Sequence, residues 1–136
     1  MKVSRTIAYA IHATLQLAGG ERGVPIPCSQ LAGDGQMPER FLLQILRSLV
    51  THGLLRSTRG VDGGYCLARP PEQISLKDIV ESFDNPLNPS VPELEGLSPE
   101  VHKRVLTALC HASSAAHQEL DKLTLADLLR ANRHDD

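Results

Sequence analysis

Residues 54–71 carry the most constraining pattern in the chain: a short run, a turn holding three glycines, a second short run and a double-proline stop. Leu54-Leu55-Arg56-Ser57-Thr58-Arg59 reads as a strand, and Tyr65-Cys66-Leu67-Ala68 as its return, closed by Arg69-Pro70-Pro71. The connecting Gly60-Val61-Asp62-Gly63-Gly64 needs positive φ at some positions, which glycine adopts without steric cost. An antiparallel hairpin is expected here.

Helical signals precede it. Residues 3–18 place Val3, Ile7, Ala10, Ile11, Leu15 and Ala18 at helical spacing, and Gly19-Gly20 closes the run. Residues 23–27 read as an extended connector, and residues 28–32 as a brief helix ended by Gly33-Asp34-Gly35. Met37 opens the next helix, with Pro38 tolerated in its first turn and Glu39 complementing the helix dipole. Phe41, Leu42, Ile45, Leu46 and Leu49 form its apolar face, and Gly53 stops it. Two helices joined by a tight glycine-containing turn make a helix-turn-helix, and a hairpin directly after one is a wing.

Beyond the hairpin, Ser75 reads as the N-cap of a helix over 76–83, with Asp78 at the capping-box position. Residues 84–99 are rich in Pro, Asn and acid and read as a loop or partly ordered linker. Ser98-Pro99-Glu100 starts a long helix with Val101, Val105, Leu109, Ala112 and Ala116 along one stripe. Thr124 caps a short helix over 125–129, and residues 132–136 read as a frayed tail. The expected fold class is mainly α with a small β-hairpin wing, a winged helix-turn-helix plus a long C-terminal helix. Its units are residues 1–84, a linker over 85–99, and residues 100–136.

Composition agrees and narrows the options. A chain of 136 residues suits one domain with an appended helix, and with only four aromatics (Tyr9, Phe41, Tyr65, Phe83) the core must be mostly aliphatic. No apolar run is long enough for a signal peptide or a membrane span. Three widely spaced cysteines argue against a disulfide framework and fit a reducing cytoplasm. The net charge is −2, yet residues 36–70 hold a local +3 and residues 71–100 a local −6, which puts a basic face on one module. No nucleophile–base motif and no glycine-rich phosphate loop is present, so no enzymatic centre is expected.

The string from Ser57 to Pro70, with its Ser-Thr-Arg-Gly and Gly-Gly-Tyr-Cys-Leu-Ala-Arg-Pro segments, resembles the Rrf2 family of bacterial regulators, the group containing IscR, NsrR and CymR. Met1 to Ser4 with Tyr9-Ala10, residues 41–49, Gly53-Leu54-Leu55, residues 74–80 and residues 123–128 resemble it in the same order. The resemblance implies a homodimer joined through its long helices by Val101, Val105, Leu109, Ala112 and Ala116. It also implies double-stranded DNA as partner, read as a pseudo-palindromic operator by two recognition helices and two wings. Gly63, Gly64 and Tyr65 belong to the matching wing segment, and Pro38 opens the recognition helix; all four are expected at the DNA.

The residues themselves suggest the roles. Arg59 at the wing suits a narrow minor groove. Arg40 and Gln44, one turn apart opposite the apolar face, suit guanine and adenine edges. Lys2, Ser4 and Arg5 at a helix start suit phosphates, and Arg47 is either a contact or structural. Leu43 replaces the acid frequent in the family, so base preference does not carry over.

Many relatives hold an iron–sulfur cluster on three cysteines before the long helix, but residues 85–107 contain no cysteine. No cofactor is expected. One alternative is a cluster or metal on His12 and Cys110 across a dimer interface, helped by His102, His111 or His117. Another is thiol oxidation at Cys28, whose helix-start position would lower its pKa, or at Cys66 in the wing. A third is a winged-helix module that binds a protein instead of DNA.

Overall fold

The computed structural model describes residues 2–83 and 87–134; the start of the expected linker and the last two residues of the expected frayed tail lie outside them. The order is α1 (Arg5–Gly19), α2 (Cys28–Gly35), α3 (Glu39–Thr51), β1 (Leu55–Thr58), β2 (Gly64–Leu67), α4 (Leu76–Glu81), α5 (Pro99–Asp121) and α6 (Leu125–His134), with a 3-10 turn at Pro71–Gln73 before α4.

Helix α1 starts two residues later than its pattern suggests, because Ser4 is its N-cap and the Ser4 Oγ accepts a bond from the Ile7 amide at 3.2 Å. Its buried face is Ile7, Ala10, Ala13, Thr14 and Leu17, rotated from the expected stripe, and Val3 is exposed. Thr14 tolerates that burial because its hydroxyl donates to the Ala10 carbonyl at 2.8 Å.

The second helix does not stop at Gly33. It runs through Gly35 and ends where Gln36 turns left-handed, at φ 54° and ψ 47°, its amide closing on the Ala32 and Gly33 carbonyls. Gly35 sits in close quarters there: a Cβ would stand 2.6 Å from the Met37 methyl and 2.9 Å from the His12 ring, and those side chains would have to move. Helix α3 then begins at Glu39, with Pro38 as its N-cap, two residues after the expected start at Met37. It buries Leu42, Ile45, Leu46 and Leu49.

In the hairpin, Leu55 pairs with Leu67, Arg56 with Cys66, Ser57 with Tyr65 and Thr58 with Gly64. Arg59 therefore belongs to the connecting loop and Gly64 to the return strand, against the expected boundaries. Residues 23–27 contribute as well. Ile26 and Tyr65 exchange both backbone bonds at 2.9 Å, which adds a third short edge to the sheet.

Two capping boxes stand back to back at the far side. Ser75 and Asp78 exchange bonds at 2.9 and 3.2 Å, as expected, although α4 ends at Glu81. Thr124 and Asp127 repeat the arrangement at the start of α6. Leu76 N–H donates to Leu123 O at 2.8 Å and Leu125 N–H to Ile74 O at 2.9 Å, joining the two segments. Helix α6 extends to His134 rather than fraying, and its Leu125 is fully buried in the same core as Ala10, Leu46 and Ile79. It packs against α1 and the 3-10 turn before α4, within residues 1–83.

Candidate nucleic-acid interface

Burial divides α3 into two faces. Leu42, Ile45, Leu46 and Leu49 lie inward, while Arg40, Gln44 and Arg47 are exposed at helical spacing on the other side. Phe41, expected inward, is 38% exposed and packs edge-on against Tyr9 of α1, ring centroids 5.9 Å apart at 76°. That contact sets the start of α1 beside the first turn of α3. Lys2, Ser4 and Arg5, all exposed, lie at that end of α1. Pro38 gives α3 no side-chain cap, which leaves the first-turn amides open to an anion.

The wing supplies the second part. Arg59 is exposed in the loop that joins β1 to β2, and Val61 stands clear of the rest of the chain. Gly63 and Gly64 have packing reasons of their own: a Cβ on Gly63 would meet the Thr58 carbonyl oxygen at 2.2 Å. On Gly64, where φ is +151°, it would meet the Ile26 carbonyl carbon at 2.4 Å. Tyr65 is half-buried against the core. These three shape the wing that presents Arg59.

The candidate sensor residues are scattered. Cys28 is half-buried, its thiol 3.7 Å from the Glu39 carbonyl, and burial together with the Glu39 charge pushes its pKa up. The lowering expected from the helix start is overturned, because desolvation and a like charge outweigh the dipole. Cys66 is buried, Cys110 is exposed on α5, and His12 is exposed on α1. Among the described residues no three His, Cys, Asp or Glu side chains converge to hold a metal. His102 Nε2 is 3.1 Å from Val91 O, and His117 bonds Ser113 O at 2.9 Å and lies 3.8 Å from Glu81, so both are engaged within the chain.

Helix α5 buries no residue. Val101, Val105 and Leu109 are 40–45% exposed along one line, and Leu109, Ala112 and Ala116 border a groove of about 340 Å³ roofed by Leu87. Sequence reasoning found this stripe, Arg59 and the outer face of α3. It missed the Tyr9–Phe41 contact, since an aromatic at an i, i+4 apolar position looks like core.

A fold of this kind, with an exposed polar recognition helix flanked by an arginine-bearing wing, defines a winged-helix DNA-binding transcription regulator. The sequence profile of the Rrf2 family, described as iron-dependent transcriptional regulators, matches residues 3–131, and the chain belongs to that family. A Mycobacterium tuberculosis H37Rv protein named as a candidate HTH-type transcriptional regulator is 37% identical over 132 residues, covering 94% of this chain and 81% of its own. The HTH-type transcriptional regulator CymR of Bacillus subtilis is 32% identical over 128 residues, covering 94% and 89%. The solved structure of B. subtilis CymR, titled the global cysteine regulator, superposes with a TM-score of 0.75 at 28% identity, covering 96% and 98%. That of IscR from T. potens gives 0.74 at 27%, covering 97% and 88%.

Iron in the family's description requires donors. Residues 85–107 offer no thiolate, and the one histidine there, His102, is engaged with the Val91 carbonyl. The donor set does not fit a cysteine-ligated cluster before α5.

Proposed function

We propose that the chain acts as a homodimeric, sequence-specific repressor in the cytoplasm, holding a pseudo-palindromic operator with two copies of α3 and two wings. The observation that carries this reading is the exposed line Arg40–Gln44–Arg47 on the same protein as the Arg59 loop. Arg40 and Gln44 reach base edges in the major groove, and Arg59 enters the adjacent minor groove. Lys2, Arg5, Arg47 and the open amides after Pro38 hold phosphates. Occupancy of those grooves excludes other proteins, which makes repression the mode assigned. No catalysis is involved.

A mobility shift with duplexes from the gene's own upstream region tests it. Affinity should fall steeply with salt, with a slope of about −0.9 per phosphate neutralised. Arg40→Ala or Gln44→Ala should each weaken the preferred duplex by about 1–3 kcal/mol and relax preference at one base pair. Binding that is insensitive to both salt and these changes would sink the reading.

We further propose that the regulator works without a cysteine-ligated cluster. The absence of thiolates near the start of α5 and the engagement of His102 and His117 support this. Protein purified without oxygen should be colourless and free of iron. A stoichiometric iron signal that is lost in Cys110→Ser and His12→Ala would instead favour the ligand pair His12 and Cys110.

A further inference from the structure

Behind the wing lies a cleft of about 470 Å³, bounded by the end of α1, the loop that follows it, the hairpin, the segment after β2, and Leu129 of α6. This volume lies within the roughly 300–1,000 Å³ typical of small-ligand sites. Three guanidinium groups line it: Arg22 from the loop, Arg56 from β1 and Arg69 from beyond β2. The only acids on its walls are Glu21 and Glu72, both exposed.

Two of the arginines are electrostatically unspent. Arg22 and Arg56 form no ion pair among the described residues. Arg69 reaches Asp78 only at 3.7 Å, and that same carboxylate oxygen already accepts the Ser75 amide at 2.9 Å. The Arg69 Nε–H is buried and finds no acceptor among the described residues. Buried donors are nearly always satisfied, and Arg69, whose side chain is 40% exposed beside the cleft, leaves this one without an acceptor. A guanidinium fork matches the two oxygens of a carboxylate or phosphate. Leu17, Val24, Pro71 and Leu129 offer the rest of such a molecule an apolar bed.

We propose that this cleft binds a small organic oxyanion, a carboxylate or phosphate ester with a compact apolar body, held by Arg56 and Arg69 with Arg22 closing over it. The site bears on the wing directly. Arg56 stands opposite Cys66 in the hairpin, whereas Arg22 and Arg69 lie on the segments that flank it. A ligand that bridges them ties the hairpin to the end of α1 and changes the presentation of Arg59. This second half rests on the DNA-binding reading; the first does not.

Amide and Arg Nε–H spectra of the full chain, titrated with benzoate, phenyl phosphate and the neutral isostere benzamide at fixed ionic strength, test the site. Benzoate or phenyl phosphate should move residues 22, 56, 66–69 and the Arg69 Nε–H, and whichever binds more tightly identifies the head group. Benzamide should leave them in place. Arg56→Gln, an exposed position, should weaken binding at least tenfold, and Arg22→Gln should weaken it less. Equal response to benzamide, or shifts spread over Arg40, Arg47 and Arg59, would overturn the proposal. So would displacement of the anion by a non-operator duplex, which would make the cleft part of the DNA face. With the site saturated, operator affinity should change several-fold; no change with binding intact would overturn the regulatory half alone.

Discussion

Gly64 shows how a single residue is fixed by a contact distant in sequence. Its φ of +151° and a Cβ position 2.4 Å from the Ile26 carbonyl carbon leave room for hydrogen only. Gly64→Ala should therefore cost about 1–3 kcal/mol of stability, the range for forced overpacking, read as a lower urea midpoint at unchanged slope. Gly53→Ala, where φ is +76° but no atom stands within 4 Å of the Cβ position, should cost less. The need for glycine in the turn was legible in the sequence; the Ile26 backbone that demands it at position 64 was not, because strand pairing carries no local signal. Cys28 is the opposite case. Its place at a helix start was read correctly, and the sign of its pKa shift was not, since neither its burial nor the orientation of Glu39 can be read from spacing. With the thiol held above its ordinary 9.0, little thiolate exists at neutral pH. In Cys66→Ser protein, half-buried Cys28 should alkylate more slowly than exposed Cys110 at pH 7.5, and the Cys28 rate should still be rising above pH 9.0.

Among the elements, those with local signatures were legible. Ser75-Leu76-Lys77-Asp78 and Thr124-Leu125-Ala126-Asp127 carry their caps within one turn, and both helices start where the pattern puts them. The bridge between the two boxes was hidden, because α5 and the linker separate its strands. Packing of Leu31 and Ala32 carries α2 through two glycines that would end an isolated helix, whereas α6 is held by Leu125 and Ala126 at its start. The Thr124 cap has a consequence for acid stability. Bonds from the Thr124 amide and hydroxyl, with Arg130 nearby, hold the Asp127 carboxyl below its ordinary 3.8. A depressed folded-state pKa stabilises the fold above the unfolded value, and that contribution is lost as pH falls through the folded one. Asp127→Asn should thus lower Tm at pH 7, and the gap from the parent should close as pH drops from about 4 toward 2. A gap that stays constant with pH would mean the carboxylate charge is not what the cap uses.

At the scale of the molecule, α5 is the element that a single chain does not explain. A 23-residue helix with no buried residue lacks the packing that stabilises most protein helices, yet it carries Val101, Val105 and Leu109 on one exposed line. In the proposed homodimer a second copy laid across that line, reaching the groove beside Ala112 and Ala116, would bury it and space two recognition helices for two half-sites. The stripe was legible from its helical spacing, whereas the second copy proposed to cover it comes only from the family resemblance. Leu109→Glu tests the pairing without disturbing the core, because Leu109 is 40% exposed in the monomer. Two carboxylates facing each other across a twofold axis should dissociate the dimer, seen as a shift to the monomer in sedimentation velocity at micromolar concentration. Separated half-sites lose their mutual effective concentration, so operator affinity should fall by about 10²–10⁴ while binding to a single half-site is unchanged. Thr107→Glu places the same charge on the opposite side of α5, where Thr107 bonds only the Lys103 carbonyl, and should leave both measurements as they were. If Leu109→Glu stays dimeric with full operator affinity, the copies meet through another surface, and the exposed stripe of α5 must be covered by something else.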